Sequence, residues 1–160
     1  AKEAIAAMKP ETPELGGRVS AASTRDNAYV HPGVSLQEFV RRRNEGVLAL
    51  MVEKKTAVEQ LEEILATGKV DMVQFGAADY SMTVGLTGQY THPKIKEAEQ
   101  YTIETAIKMG VRPRVELNKW EDGQPYIDMG VKDFCIGSDV GSFFEFCKDQ
   151  GEGMAKALGK

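Results

Sequence analysis

Two spacings of apolar residues alternate along this chain. The first is a short, nearly unbroken apolar run, seen in "VLALMVE" at 47–53, in "VDMVQF" at 70–75, in "VRPRVEL" at 111–117 and in "DFCIG" at 133–137. Runs of this length bounded by glycine or charge predict buried strands. The second is a helical spacing. Ala57, Val58, Leu61, Ile64 and Leu65 share one face, with Thr56 and Glu59 spaced as a capping box and Gly68 as the stop. Ile95, Ala98, Ile103 and Ala106 share another face in a helix that opens at His92-Pro93 and stops at Gly110.

Further helices are predicted from Ser35, which forms a capping box with Glu38 and ends near Gly46, and weakly around Trp120 to Met129. The tail from Val140 to Lys160 reads as a helix interrupted at Gly151 and Gly153. "AKEAIAAMKP" reads as a fragment of an amphipathic helix that stops at Pro10, and not as a signal peptide. Residues 10–34 are rich in Gly, Pro, Ser, Thr and Asn and read as a long loop of the kind that is functional or packed on a partner. The order βαβαβαβα, with strands apolar on both faces, predicts an α/β fold with a parallel sheet. No linker divides residues 1–160, so one domain is expected.

Composition narrows the chemistry. The net charge of −4, without a basic tract, speaks against nucleic acid. No apolar run approaches the roughly 20 residues of a membrane span. Cys135 and Cys147 lack a metal or redox spacing and read as reduced thiols of a cytoplasmic protein. With two histidines in the chain, a His-rich zinc site is not expected.

In parallel α/β folds the chemistry gathers at the carboxyl ends of strands. Those ends carry Glu53, the turn Gly76-Ala77-Ala78-Asp79, Glu116, and Gly137-Ser138-Asp139. Glu53 and Asp79 terminate consecutive strands. Facing carboxylates repel unless a proton or cation lies between them, and an all-oxygen set suits Mg²⁺ or Mn²⁺. On spacing alone, it is equally open that each acid caps a helix or pairs with a nearby Lys or Arg. The small side chains of Gly76, Ala77 and Ala78 let a ligand approach the backbone, and amides beyond a strand suit an anion such as a substrate carboxylate. Arg114 and Glu116 alternate with Val115 and Leu117, which puts the two charges on one face. His31 lies in the long loop, and His92 reads as a helix cap.

The segments "MVEKKTAVEQLEEIL", "VDMVQFGAADYSMTVGLTGQYTHP" and "GSDVG" resemble the HpcH/HpaI aldolases, metal-dependent pyruvate aldolases built on a TIM barrel. The resemblance covers nearly the whole chain. It implies a (β/α)8 barrel of the phosphoenolpyruvate/pyruvate type, of which this chain supplies the last four βα units. It implies that Glu53 and Asp79 ligate a divalent cation (Mg, Mn or Co). The amides of Ala78 and Asp79, within the Gly76–Asp79 turn, would hold the carboxylate of a 2-oxo acid. The implied reaction is reversible cleavage of a 4-hydroxy-2-oxo acid to pyruvate and an aldehyde, with the metal as Lewis acid. The family's catalytic His and substrate-binding Arg belong to the first half of the barrel, so no residue here takes those roles. A homo-oligomer, hexameric in such proteins, is implied too, in keeping with the apolar Val140, Phe143, Phe144, Phe146 and Cys147 of the tail. Three features depart from the family pattern: Met51 stands where Gln is usual, Ala77 where Pro is frequent, and Arg114 and Glu116 lie near the end of a strand that is usually uncharged there. Two other readings remain, a CoA-thioester lyase of the citrate lyase β type and a non-catalytic half-barrel that pairs with a partner chain.

Overall fold

Strand and helix alternate along the chain as the apolar pattern requires. The computed structural model describes residues 1–20 and 35–160. His31 and most of the predicted 10–34 loop lie outside the described residues. Helix α1 (Lys2–Met8) is followed by α2 (Leu36–Asn44), strand β1 (Ala49–Val52), helices α3 (Lys55–Glu59) and α4 (Leu61–Leu65), and β2 (Met72–Phe75). Then come α5 (Ala77–Thr83), α6 (Pro93–Lys108), β3 (Arg112–Leu117), a 3-10 turn at Trp120–Gly123, α7 (Gln124–Asp128), β4 (Asp133–Ile136) and α8 (Asp139–Ala157). The strands form a four-stranded sheet in the order β1-β2-β3-β4. β1 runs parallel to β2 and β3 parallel to β4. The expected parallel α/β architecture is therefore observed.

The chain forms two compact units, Ala1–Pro113 and Arg114–Lys160. The first holds a continuous apolar core of Val52, Val58, Leu61, Leu65, Val70, Val73, Tyr80, Ile95, Ala98, Ala106 and Val111. Here the helical spacing and the strand runs meet: α4 and α6 turn their apolar stripes onto the face of β1 and β2 that carries Val52 and Val73. Asp71 ties the amino-terminal ends of this sheet. Its carboxylate accepts the Leu48 amide at 2.8 Å, and its carbonyl accepts the Arg112 amide at 3.2 Å. Pro10 bridges to Val19, and Gly17 is required there because a Cβ would fall onto the Lys9 carbonyl.

In the second unit Val115 and Leu117 are buried, Arg114 is half-buried and Glu116 exposed, so the predicted alternation holds. No helix among the described residues is long and apolar enough to cross a membrane.

Four expectations need correction. The strands are not uniformly buried on both faces: β1 is buried only at Val52, β4 has no buried residue, and Met51 of β1 and Ile136 of β4 are more than half exposed. The predicted helix from Thr56 is two short helices meeting at Gln60. Its capping box does not set the start, because Lys54 occupies the cap position and makes no side-chain bond. The tail helix runs through Gly151 and Gly153 without a break. Each glycine costs about 1 kcal/mol in a helix interior, and this helix bears that cost over 19 residues while capped by Ser138, whose hydroxyl accepts the Gly141 amide at 3.0 Å.

The caps at Ser35 and His92 are as expected. Ser35 Oγ accepts the Glu38 amide at 3.2 Å, and His92 Nδ1 accepts the Lys94 amide at 3.2 Å. The Glu38 carboxylate is held by Arg41 and Arg42, whose hydrogen bonds lower its pKa to about 2.

Candidate functional site

The parallel register between β1 and β2 aligns Val52 with Phe75. The next positions along the ladder are Glu53 and Gly76, so an acid and a glycine end the two strands side by side. Gly76 closes the ladder by donating its amide to the Val52 carbonyl at 2.9 Å. Its φ of −98° is one that any residue adopts. What glycine supplies is space. A Cβ at this position would lie 2.8 Å from Glu53 Cβ, 3.2 Å from Met51 Cγ and 3.3 Å from Glu53 Oε2. The half-buried Glu53 side chain thus lies against the bare Cα of Gly76, with a carboxylate oxygen above the strand end.

The chain then turns directly into α5, and Asp79 falls in its first turn. The amides of Ala77, Ala78 and Asp79 have no intrahelical acceptor. Tyr80 is the first whose amide is taken up, by the Gly76 carbonyl at 3.0 Å. A carboxylate is favoured electrostatically in this turn. Tyr80 anchors the helix. It is buried, its ring packs on Phe75 with centroids 5.0 Å apart, and burial raises the pKa of its phenol. Ala78 and Asp79 remain exposed.

Among the described residues no ion pair or hydrogen bond engages the carboxylate of Glu53 or Asp79, and Lys55 turns to Glu59 at 3.5 Å. The alternatives of helix cap or local ion pair are therefore not realised for either acid. His92, by contrast, is spent as a cap.

No cluster of three or more His, Cys, Asp or Glu gathers among the described residues. The candidate donor set is two carboxylates. That number fits a small hard cation such as Mg²⁺, which binds through one or two carboxylates and keeps the rest of its shell for water and substrate oxygens. It does not fit a closed structural zinc site, which takes four protein ligands.

Two hydroxyls of α5 make contacts that no sequence pattern announces. Ser81, fully buried, donates to the Ala78 carbonyl at 2.6 Å and accepts the Gly88 amide at 3.1 Å. Thr83 donates to the Tyr80 carbonyl at 2.9 Å and accepts the Lys55 amide at 3.2 Å. Helix α5 itself is not among the predicted helices, the one expected after the second strand being that at Pro93.

Comparison with known proteins places the chain in a family. Residues 5–144 match the family described as HpcH/HpaI aldolase/citrate lyase. The chain belongs to that family. It is 28% identical over 143 residues to a 5-keto-4-deoxy-D-glucarate aldolase of Klebsiella pneumoniae, covering 89% of this chain and 54% of the relative. Its structure is similar to that of an HpcH/HpaI aldolase from Desulfitobacterium hafniense, with a TM-score of 0.75 and 26% identity over 89% of this chain and 55% of the other. An HpcH/HpaI aldolase/citrate lyase family protein from Burkholderia cenocepacia shares the fold, with a TM-score of 0.77 at 20% identity over 92% of this chain and 57% of the other. The chain thus spans about half the length of the curated relatives it matches.

Proposed function

We propose that this chain carries the metal-binding part of a carbon–carbon lyase that reversibly cleaves a 4-hydroxy-2-oxo acid to pyruvate and an aldehyde. The observation that carries the reading is the Glu53 carboxylate laid across Gly76, beside the helix turn that bears Asp79. Family membership supports the reaction class. The relative named as a 5-keto-4-deoxy-D-glucarate aldolase supports an oxo acid of the sugar-acid kind as substrate. In this reading residues 1–160 are one domain, the last four βα units of a (β/α)8 barrel.

Glu53 and Asp79 would hold the divalent cation, Mg²⁺, Mn²⁺ or Co²⁺. When bound, the cation supplies Lewis acidity toward the keto and carboxylate oxygens of the substrate. The chain's own part is to bind and orient. The amides of Ala78 and Asp79 receive the substrate carboxylate, and the small Gly76 and Ala77 allow it to approach the backbone. The Gly76 amide takes no direct part, because it is committed to Val52. None of the described residues is assigned the acid–base role. The apolar residues exposed on α8, among them Phe143, Phe144 and Phe146, support a homo-oligomer, a hexamer by analogy with the family.

The test is release of pyruvate from a 4-hydroxy-2-oxo acid, followed by a coupled dehydrogenase with each cation in turn. Chelation and Asp79→Ala are each expected to abolish metal-dependent cleavage. Full activity in Asp79→Ala would sink the assignment. Cleavage of a CoA thioester instead of the oxo acid would move the chain to the citrate lyase reading.

A further inference from the structure

Glu53 lies on a segment pinned at two points to the segment that carries Asp79. One pin is the ladder bond from the Gly76 amide to the Val52 carbonyl, one residue before Glu53. The other is the bond from the Lys55 amide to Thr83 Oγ1, two residues after it. The second pin fixes the Glu53 segment to the Asp79 helix directly, ahead of the buried Val58 and Leu61 that anchor the following helices in the core.

The Thr83 bond resolves a local problem of helix α3. Lys55 is its first residue, and its amide is one of the donors that a helix cannot satisfy internally. The cap residue Lys54 offers no side-chain bond. The acceptor comes instead from α5, a different helix and one that carries Asp79 four residues earlier. The hydroxyl is also oriented. Its proton is given to the Tyr80 carbonyl at 2.9 Å, so Oγ1 faces Lys55 as a pure acceptor. A serine preserves both bonds. A valine preserves the shape and loses both.

We propose that Thr83 is a positioning residue for the carboxylate pair, in that its hydroxyl locks the Glu53 segment to the Asp79 helix and so sets the separation of the two acids. This rests on the reading of Glu53 and Asp79 as a cation site. It goes beyond that reading in assigning the geometry to a residue that touches neither metal nor substrate. Thr83 and Lys55 are both exposed, so water can take over the amide when the hydroxyl is removed. The loss then falls on the alignment of the acids and not on the fold.

The experiment is a titration of the full chain with Mn²⁺ alone, free Mn²⁺ being read by electron paramagnetic resonance. It is run on the unaltered chain, Thr83→Val and Thr83→Ser, with a thermal melt of each. Thr83→Val is expected to bind Mn²⁺ about tenfold more weakly or worse, the scale on which loss of an outer supporting contact weakens a metal site, while melting at the same temperature. Thr83→Ser is expected to restore the original affinity. Equal affinity in Thr83→Val overturns the inference. So does a Thr83→Val chain that fails to fold, since the hydroxyl would then serve stability. An unaltered chain that binds no Mn²⁺ is a separate failure: it removes the cation site itself, and the role of Thr83 with it.

Discussion

The unit from Ala1 to Pro113 and the unit from Arg114 to Lys160 use apolar residues in opposite ways. In the first, the five-residue helix α4 buries both Leu61 and Leu65, and the 16-residue α6 buries six positions. In the second, the 19-residue α8 buries none, and Val140, Phe143, Phe144 and Phe146 are each more than 60% exposed. Both α6 and α8 are amphipathic in sequence. The difference shows that an apolar stripe predicts a helix and a face, and leaves open what the face meets. In the first unit the stripe meets the sheet of the same chain. In the second it is available to another surface.

The comparison can be broken by substitution. The largest effect is expected at Leu61, which is wholly buried. Leu61→Ala should cost about 2–5 kcal/mol, by loss of transfer energy and creation of a cavity, measured by urea unfolding. A smaller but local effect is expected at Gly76. Gly76→Ala places a methyl 2.8 Å from Glu53 Cβ, so Glu53 must move. A cost of about 1–3 kcal/mol is expected, accompanied by loss of Mn²⁺ binding. Retention of full Mn²⁺ affinity in Gly76→Ala would show that the placement of Glu53 is not what holds the cation. The smallest effect on stability belongs to α8. Phe143→Ala, unfolded at high dilution where association is negligible, should change stability by no more than about 0.5 kcal/mol. At higher concentration the same variant should lower the mass seen by light scattering. A large loss of stability at dilution would mean that Phe143 packs within its own chain and would erase the contrast between the units.

The sequence made some of this legible for specific physical reasons. The strands were visible because their apolar runs are bounded by charge or glycine, and α6 because His92-Pro93 is a start signal that the structure honours with a bond from the Lys94 amide. Glu53 and Asp79 were visible as acids at the ends of consecutive strands. Helix α5 was not visible. It is only seven residues long, and four of them, Asp79, Tyr80, Ser81 and Thr83, have indifferent helix propensity. Its hydroxyls bond to backbone carbonyls three residues back, a local arrangement that gives no periodic signal. The role of Thr83 was hidden further, because its partner Lys55 lies 28 residues away and belongs to another helix. Gly151 and Gly153 predict a break in α8, yet the helix is continuous and capped at Ser138. The capping box at Thr56 was misread because the true cap position lies two residues earlier, at Lys54, and the acceptor for the first amide comes from tertiary structure.

The cation site is tested most directly by the stoichiometry of tight Mn²⁺ binding to the unaltered chain, set beside Glu53→Gln and Asp79→Asn. Neutral isosteres keep the shape of each side chain and remove its charge. One Mn²⁺ per chain is expected, with tight binding lost in either variant while both remain folded. Undiminished binding in both variants would contradict it, because the cation would then be held by residues other than the two acids at the strand ends.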